Sequence, residues 1–240
     1  MKKILTFSVT LLLGCSLLSC DDGDIHEKSG YTNTGRVVKM TGLISGLDHW
    51  SQNYSIALAG FSQESNYAVI NKAIPVGNNR MNMVMTNIPD NVDEIALCAI
   101  NRLRKRIVVF AKLDGADIAT DDTIYFDVDG IDVSMMSAIQ QDVFNTTCYS
   151  CHGGSNFAAA GLYLTDGKSY DALVSQPSKK VEGMSLVKPG DAENSVIHQV
   201  LATDLTHNWR TNHVNMLATG KADDLILLID NWINNGAEKD

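Results

Sequence analysis

Short apolar or alternating runs recur through residues 35–128 at intervals of roughly ten residues. Turn-forming residues separate these runs, for example at 75–79 and 89–91, which contain proline, glycine, asparagine and aspartate. A period of two bounded by such turns is typical of half-buried β-strands. The pattern predicts strands at 36–44, 54–60, 67–74, 80–88, 94–100, 106–113 and 123–128.

Near residue 131 the spacing of apolar positions changes from about two to about 3.6 residues. A helix is predicted to lead into Cys148, with apolar positions at Val133, Met136, Ile139, Val143 and Phe144. Shorter helices are predicted at 169–174 and 194–201, and the last helix carries an apolar face of Leu225, Leu228, Ile229 and Trp232. We therefore predict two domains, an all-β sandwich of immunoglobulin or fibronectin type III character at 35–130 and an all-α domain at 131–240.

The composition supports a globular protein with room for two cores. Of the 240 residues 45% are hydrophobic and 20% are charged, and the formal net charge is −9. An acidic balance argues against nucleic acid or an anionic membrane surface as the partner.

The first twenty residues carry an export signal. Lys2 and Lys3 precede an apolar stretch at 4–13 that is too short to span a bilayer. Residues 17–20 read Leu-Leu-Ser-Cys and resemble the lipobox of bacterial lipoproteins, which implies that Cys20 is the lipid attachment site. A second such motif ends at Cys15, and an ordinary secretory signal is the other alternative.

The segments around Cys20 complete the expected organisation. We predict a signal peptide at 1–20 and a flexible tether at 21–34, which is polar and rich in small residues. The acidic residues at 21–24 resemble the tag that directs some lipoproteins to the outer cell surface, and a solvated linker explains them equally well. An exported protein, lipid-anchored in the bacterial outer membrane, is therefore expected.

The most informative motif is Cys148-Tyr149-Ser150-Cys151-His152, a C-x-x-C-H sequence. This spacing is typical of a c-type haem attachment site, where two thiols bond the haem and the histidine binds its iron. Zinc is the alternative, with His207 and His213 completing the ligand set, although these residues lie far from Cys151 for a compact zinc module. The remaining thiol, Cys98, lies in an apolar run, so no disulfide framework is indicated.

Residues 131–240 resemble a single-haem class I cytochrome c domain. The resemblance rests on Phe144 four residues before Cys148, the C-x-x-C-H-G motif, a Gly161-Leu162-Tyr163-Leu164 segment and a final helix that contains Trp232. It implies an all-α cytochrome c fold in which the helices of Phe144 and Trp232 cross. It also implies that His152 is the proximal iron ligand and Met216, just before the last helix, the distal one.

Several ligand questions stay open in the sequence. His213 or His207 could replace Met216 and give two histidine ligands, or the distal site could be open, while His198 and Met184 are weaker candidates. Trp209 and Arg210 are candidate contacts for the haem propionates. The proline whose carbonyl commonly orients the proximal histidine in this family has no identifiable counterpart after His152.

These features together predict a monohaem c-type cytochrome that transfers single electrons to or from a redox partner protein. It would bind one covalent haem c, contact the membrane only through its lipid, and bind no nucleic acid. No catalytic residues are assigned, and an electron carrier is favoured over an enzyme. The alternatives are a surface binding or adhesion module with a structural or sensory haem, and a peroxidase-like haem enzyme with an open distal site.

Overall fold

The computed structural model of the chain describes residues 35–77, 79–119, 123–203, 211–217 and 220–239. The predicted signal peptide, the tether and Cys20 lie outside these residues. The same is true of His207, Trp209 and Arg210.

The strands form two four-stranded sheets. In the first, β1 (Arg36–Ser45) pairs antiparallel with β4 (Arg80–Ile88) and parallel with both β7 (Thr123–Asp127) and β8 (Ile131–Asp132). The second sheet is antiparallel, and its order is β3 (Ile70–Ala73), β2 (Tyr54–Phe61), β5 (Glu94–Asn101) and β6 (Arg106–Asp114).

The two central strands of the second sheet are buried on both faces. Residues such as Leu58 and Leu97 enter the main core, and small residues such as Ala57 and Cys98 form a separate apolar cluster. Ala57 and Cys98 are direct partners in the β2–β5 ladder. Strands buried on both faces lose the simple alternation of apolar and polar residues, as the nearly unbroken apolar sequence of β5 illustrates.

The helices follow from residue 135 onward. Helix α1 (Met135–Ile139) continues into a π-helical segment (Gln140–Cys148) and then into α2 (Tyr149–His152), without interruption. The other helices are α3 (Ser169–Leu173), α4 (Val196–Ala202) and α5 (Ala222–Asn234), and single 3₁₀ turns lie at Gly115–Asp117 and Ala159–Gly161. No helix in the described residues has the length and apolarity that crossing a membrane requires.

One hydrophobic core joins the strands to the helices. It extends from Val38 on β1 to Ala237 after α5, and the described residues belong to a single compact unit. Trp50, which follows β1, donates its indole N–H to the carbonyl of Val133, just before α1, at 2.8 Å. Lys105, in the β5–β6 turn, pairs with Asp224 on α5 at 2.6 Å.

The predicted pairing of an all-β immunoglobulin or fibronectin III-like domain with an all-α cytochrome c domain is therefore wrong. The structure is a mixed fold in which individual helices hold only 4 to 13 residues and irregular loops fill most of 153–195. The apolar faces of α1 and α5 were identified correctly, but they pack into a core shared with the strands. Periodicity reports that one side of a helix is buried, and does not report the partner that buries it.

Candidate cofactor site

The C-x-x-C-H motif lies at the end of the long helical segment. That segment begins where the Ser134 hydroxyl accepts the Ser137 backbone N–H at 3.1 Å, an N-cap that compensates an otherwise unpaired donor. Val143 and Phe144 fix the segment in the core, with exposed fractions of 1% and 0%. π-helical geometry is rare and recurs at functional sites. Its extent up to Cys148 therefore makes the end of this segment a candidate functional site.

Both thiols of the motif are free. Cys148 is half-buried and Cys151 is exposed, so one sulfur faces the protein and the other faces solvent. Burial, with a smaller effect of the neighbouring Cys151, raises the pKa of Cys148 to about 11. Cys148 is therefore protonated at neutral pH, and neither thiol of the pair is engaged in a disulfide.

His152 is oriented by a backbone carbonyl. Its Nδ1 lies 3.0 Å from the carbonyl oxygen of Leu162. Because a carbonyl only accepts, the imidazole proton is on Nδ1 and donates to Leu162, which makes the Nε2 lone pair the one available to a metal. The sequence left this contact open, and the structure assigns it to the Leu162 main chain.

A tight turn carries the Leu162 carbonyl to His152. The Leu162 N–H donates to the Ala159 carbonyl at 3.1 Å, and Ala160 and Gly161 both have positive φ, at 54° and 69°. Glycine adopts that conformation without strain, which explains Gly161 at this point. Leu164 then donates its N–H to the His152 carbonyl at 2.9 Å, so the returning chain is hydrogen-bonded to His152 by side chain and main chain.

The two glycines that follow the motif permit a close reversal of the chain. A Cβ on Gly153 would overlap the Tyr149 ring, and a Cβ on Gly154 would overlap the Phe157 carbonyl. Tyr149 and Phe157 are 54% and 77% exposed. Two large aromatic side chains within and just after the motif are therefore open to solvent.

Residues 211–217 contain two of the candidates for a distal ligand, His213 and Met216. The Met216 N–H donates to the His213 carbonyl at 3.1 Å, so both side chains come from one turn, and Met216 is 47% exposed. Burial lowers the pKa of His213, and the charge of His152 lowers it further, which indicates that His213 and His152 are neighbours. His213 therefore lies within electrostatic range of the motif.

The remaining ligand candidates lie elsewhere or are engaged. His198 on α4 pairs through Nδ1 with Asp230 on α5 at 2.7 Å. This contact joins the helices that precede and follow residues 211–217. Met184 lies half-buried in the loop between α3 and α4. Within the described residues no three His, Cys, Asp or Glu side chains form a group that could hold a metal ion such as zinc.

The residues present fit a c-type haem. Covalent haem attachment needs two free thiols at this spacing and an imidazole with Nε2 available, and the motif has both. No protein-family model, no curated protein and no solved structure matches the chain.

Proposed function

We propose that this chain is a monohaem electron-transfer protein in which Cys148 and Cys151 hold one haem c and His152 binds its iron. The observation that carries the proposal is the hydrogen bond from His152 Nδ1 to the Leu162 carbonyl, made directly beside two free thiols. A histidine that binds a metal almost always donates its second ring N–H in this way, because the bond fixes the tautomer and the ring orientation. A surface histidine that binds no metal does not need a hydrogen-bond acceptor at Nδ1.

Attachment requires both thiols in reduced form. Cys148 and Cys151 would hold the haem by thioether bonds: each S–H would add across one vinyl group, its sulfur and hydrogen going to the two vinyl carbons, with no net gain or loss of electrons. Cys148 and Cys151 are both unpaired, as this addition requires. The apolar rings of Tyr149 and Phe157 then provide surface that a bound porphyrin would cover.

The loop at 211–217 supplies the sixth iron ligand in this proposal. Met216 is the residue we assign, since its thioether is exposed and comes from the same turn as His213, the neighbour of His152. A thioether ligand raises the reduction potential of haem iron, whereas a second histidine in place of Met216 would lower it.

A bound haem supplies reversible one-electron chemistry, and the protein supplies axial ligands, burial and orientation. If His152 and Met216 both bound the iron, no open iron position would remain for a substrate, so the proposal favours electron transfer over catalysis. In the proposed setting Cys20 carries the lipid, the protein lies at the outer membrane, and a redox partner protein exchanges electrons with the haem. The strand-rich part holds the helices through their shared core.

A pyridine haemochrome spectrum after denaturation tests covalent haem directly. The full-length protein, produced together with a c-type haem maturation system, is expected to retain one haem per chain after acid–acetone extraction. Replacing both Cys148 and Cys151 by serine should abolish retention, because the thioether bonds cannot form. The matched control is Cys98→Ser, which should leave haem retention unchanged.

Two results would contradict the proposal. One is the absence of a haemochrome together with stoichiometric zinc in the purified protein, which would favour the zinc alternative. The other is rapid carbon monoxide binding by the reduced, unaltered protein, which would show an open distal position and favour a haem enzyme.

A further inference from the structure

Gln140 begins the π-helical segment, twelve positions before His152, and its side chain is almost completely buried, with the residue 8% exposed. A buried amide requires hydrogen-bonding partners, because desolvating it without them costs about 1–3 kcal/mol. Gln140 Nε2 lies 2.7 Å from Asn145 Oδ1 and 3.3 Å from the Leu164 carbonyl oxygen. Gln140 Oε1 accepts the hydroxyl of Ser169, which is itself 2% exposed.

These partners also define which way the amide faces. The Leu164 carbonyl can only accept, so the NH₂ group must face it, and the Ser169 hydroxyl is left to donate to the amide oxygen. Gln140 thus connects the helix that carries the motif to the chain at 164–169. Asn145, five residues along the π-helical segment, strengthens the same connection through Asp166 at 3.4 Å.

The Leu164 peptide is held on both sides. Its N–H donates to the His152 carbonyl at 2.9 Å, and its carbonyl accepts from Gln140. Leu162, two residues earlier and in extended conformation, presents its carbonyl to His152 Nδ1. A rotation of the chain at 162–164 would therefore move the acceptor away from the imidazole, and the Gln140 amide opposes that rotation.

We propose that Gln140 is a positioning residue for His152, acting through the Leu164 and Leu162 main chain. The inference rests on the proposed haem function and extends it to the control of ligand basicity. A histidine that donates a strong hydrogen bond from Nδ1 is a more basic iron ligand, which stabilises oxidised iron and lowers the reduction potential. Loosening the Leu162 carbonyl should weaken that bond and raise the potential.

The test compares variants of the full-length protein with haem attached. Gln140→Glu keeps the shape of the side chain and removes the donor to Leu164, and Gln140→Leu removes all three hydrogen bonds. Gln141→Glu and Gln141→Leu are the matched controls, since Gln141 is adjacent and exposed and donates to the Val109 carbonyl at 2.9 Å, away from the loop. The readouts are haem content, reduction potential and the NMR signal of the His152 Nδ1 proton.

We expect Gln140→Leu to raise the potential and both Gln140 variants to shift or broaden the His152 signal, while both Gln141 variants match the unaltered protein. Ser169→Ala, which leaves the donor to Leu164 in place, should produce a smaller change and serves if the Gln140 variants do not fold. An unaltered protein without covalent haem would overturn the proposed function itself. Covalent haem with unchanged potential and His152 signal in the folded Gln140 variants, or in Ser169→Ala if those variants do not fold, would overturn the role of Gln140 alone.

Discussion

The strand-rich part (35–132) and the helical part (133–239) are held together in different ways. Strands β2 and β5 pair continuously from Tyr54 opposite Asn101 to Phe61 opposite Glu94, so many equivalent hydrogen bonds share the stabilisation. Between α2 and α4 the chain is mostly turns, and single contacts such as His152 to Leu162 determine its path. We therefore expect the first region to tolerate the loss of one hydrogen bond, and the geometry of the site in the second to depend on single side chains.

The largest expected effect on stability comes from removing the helical contribution to the shared core. Trp232 on α5 is 2% exposed, its indole N–H donates to the Glu238 carbonyl at 2.7 Å, and its ring meets the edge of Tyr170. Trp232→Ala should lower the free energy of unfolding by about 3–5 kcal/mol, because it leaves a large cavity. Urea denaturation measures this change.

Leu227 on the same helix is 52% exposed and provides the control. Leu227→Ala should change the free energy of unfolding by less than about 0.5 kcal/mol. Equal losses for the two variants would mean that helix propensity, and not core packing, makes α5 important.

The second prediction tests which residue of the 211–217 loop is the distal iron ligand. Met216→Ala should remove the methionine-to-iron charge-transfer band of the oxidised protein, because the thioether that produces it is absent. His213→Ala, three residues away in the same turn, should keep the band. The reverse result, with the band absent in the unaltered protein and the spectrum altered only by His213→Ala, would make His213 the distal ligand.

A smaller effect on the free energy of unfolding is expected from Cys98, which is buried in the second sheet. Burial raises the pKa of the Cys98 thiol to about 12, against an ordinary value of 9.0. The unfolded chain therefore loses this proton at lower pH than the folded one, so the contribution of Cys98 to stability is full below about 9 and declines between 9 and 12. The urea midpoint as a function of pH should fall less steeply in this range for Cys98→Ala.

Tyr54 contributes to the same alkaline decline, because burial raises its pKa to about 12 and the nearby Asp224 adds to the shift. Some slope should therefore persist in Cys98→Ala and decrease further in Cys98→Ala with Tyr54→Phe. A slope that is the same in all three proteins would assign the alkaline loss to other groups.

Most strands could be predicted from alternation and turn residues, and the runs at 36–44, 54–60 and 94–100 agree with β1, β2 and β5 within a residue. The predicted last helix also agrees with α5. The two-residue β8 and the parallel pairing of β1 with β7 and β8 were missed, because pairing direction has no signature in the pattern of a single strand. The π-helical segment at 140–148 was also missed, because a 3.6-residue spacing of apolar positions predicts an ordinary α-helix.

The sequence alone determined the residue types and the spacing of the candidate site, because Cys148, Cys151 and His152 are neighbours in the chain. It also determined which faces of the strands and helices are apolar. Only the tertiary structure decided that Leu162 accepts from His152 and that Gln140 holds Leu164, since a main-chain carbonyl is present at every residue and carries no signal of its own. Those contacts depend on the path of the chain, which long-range packing sets.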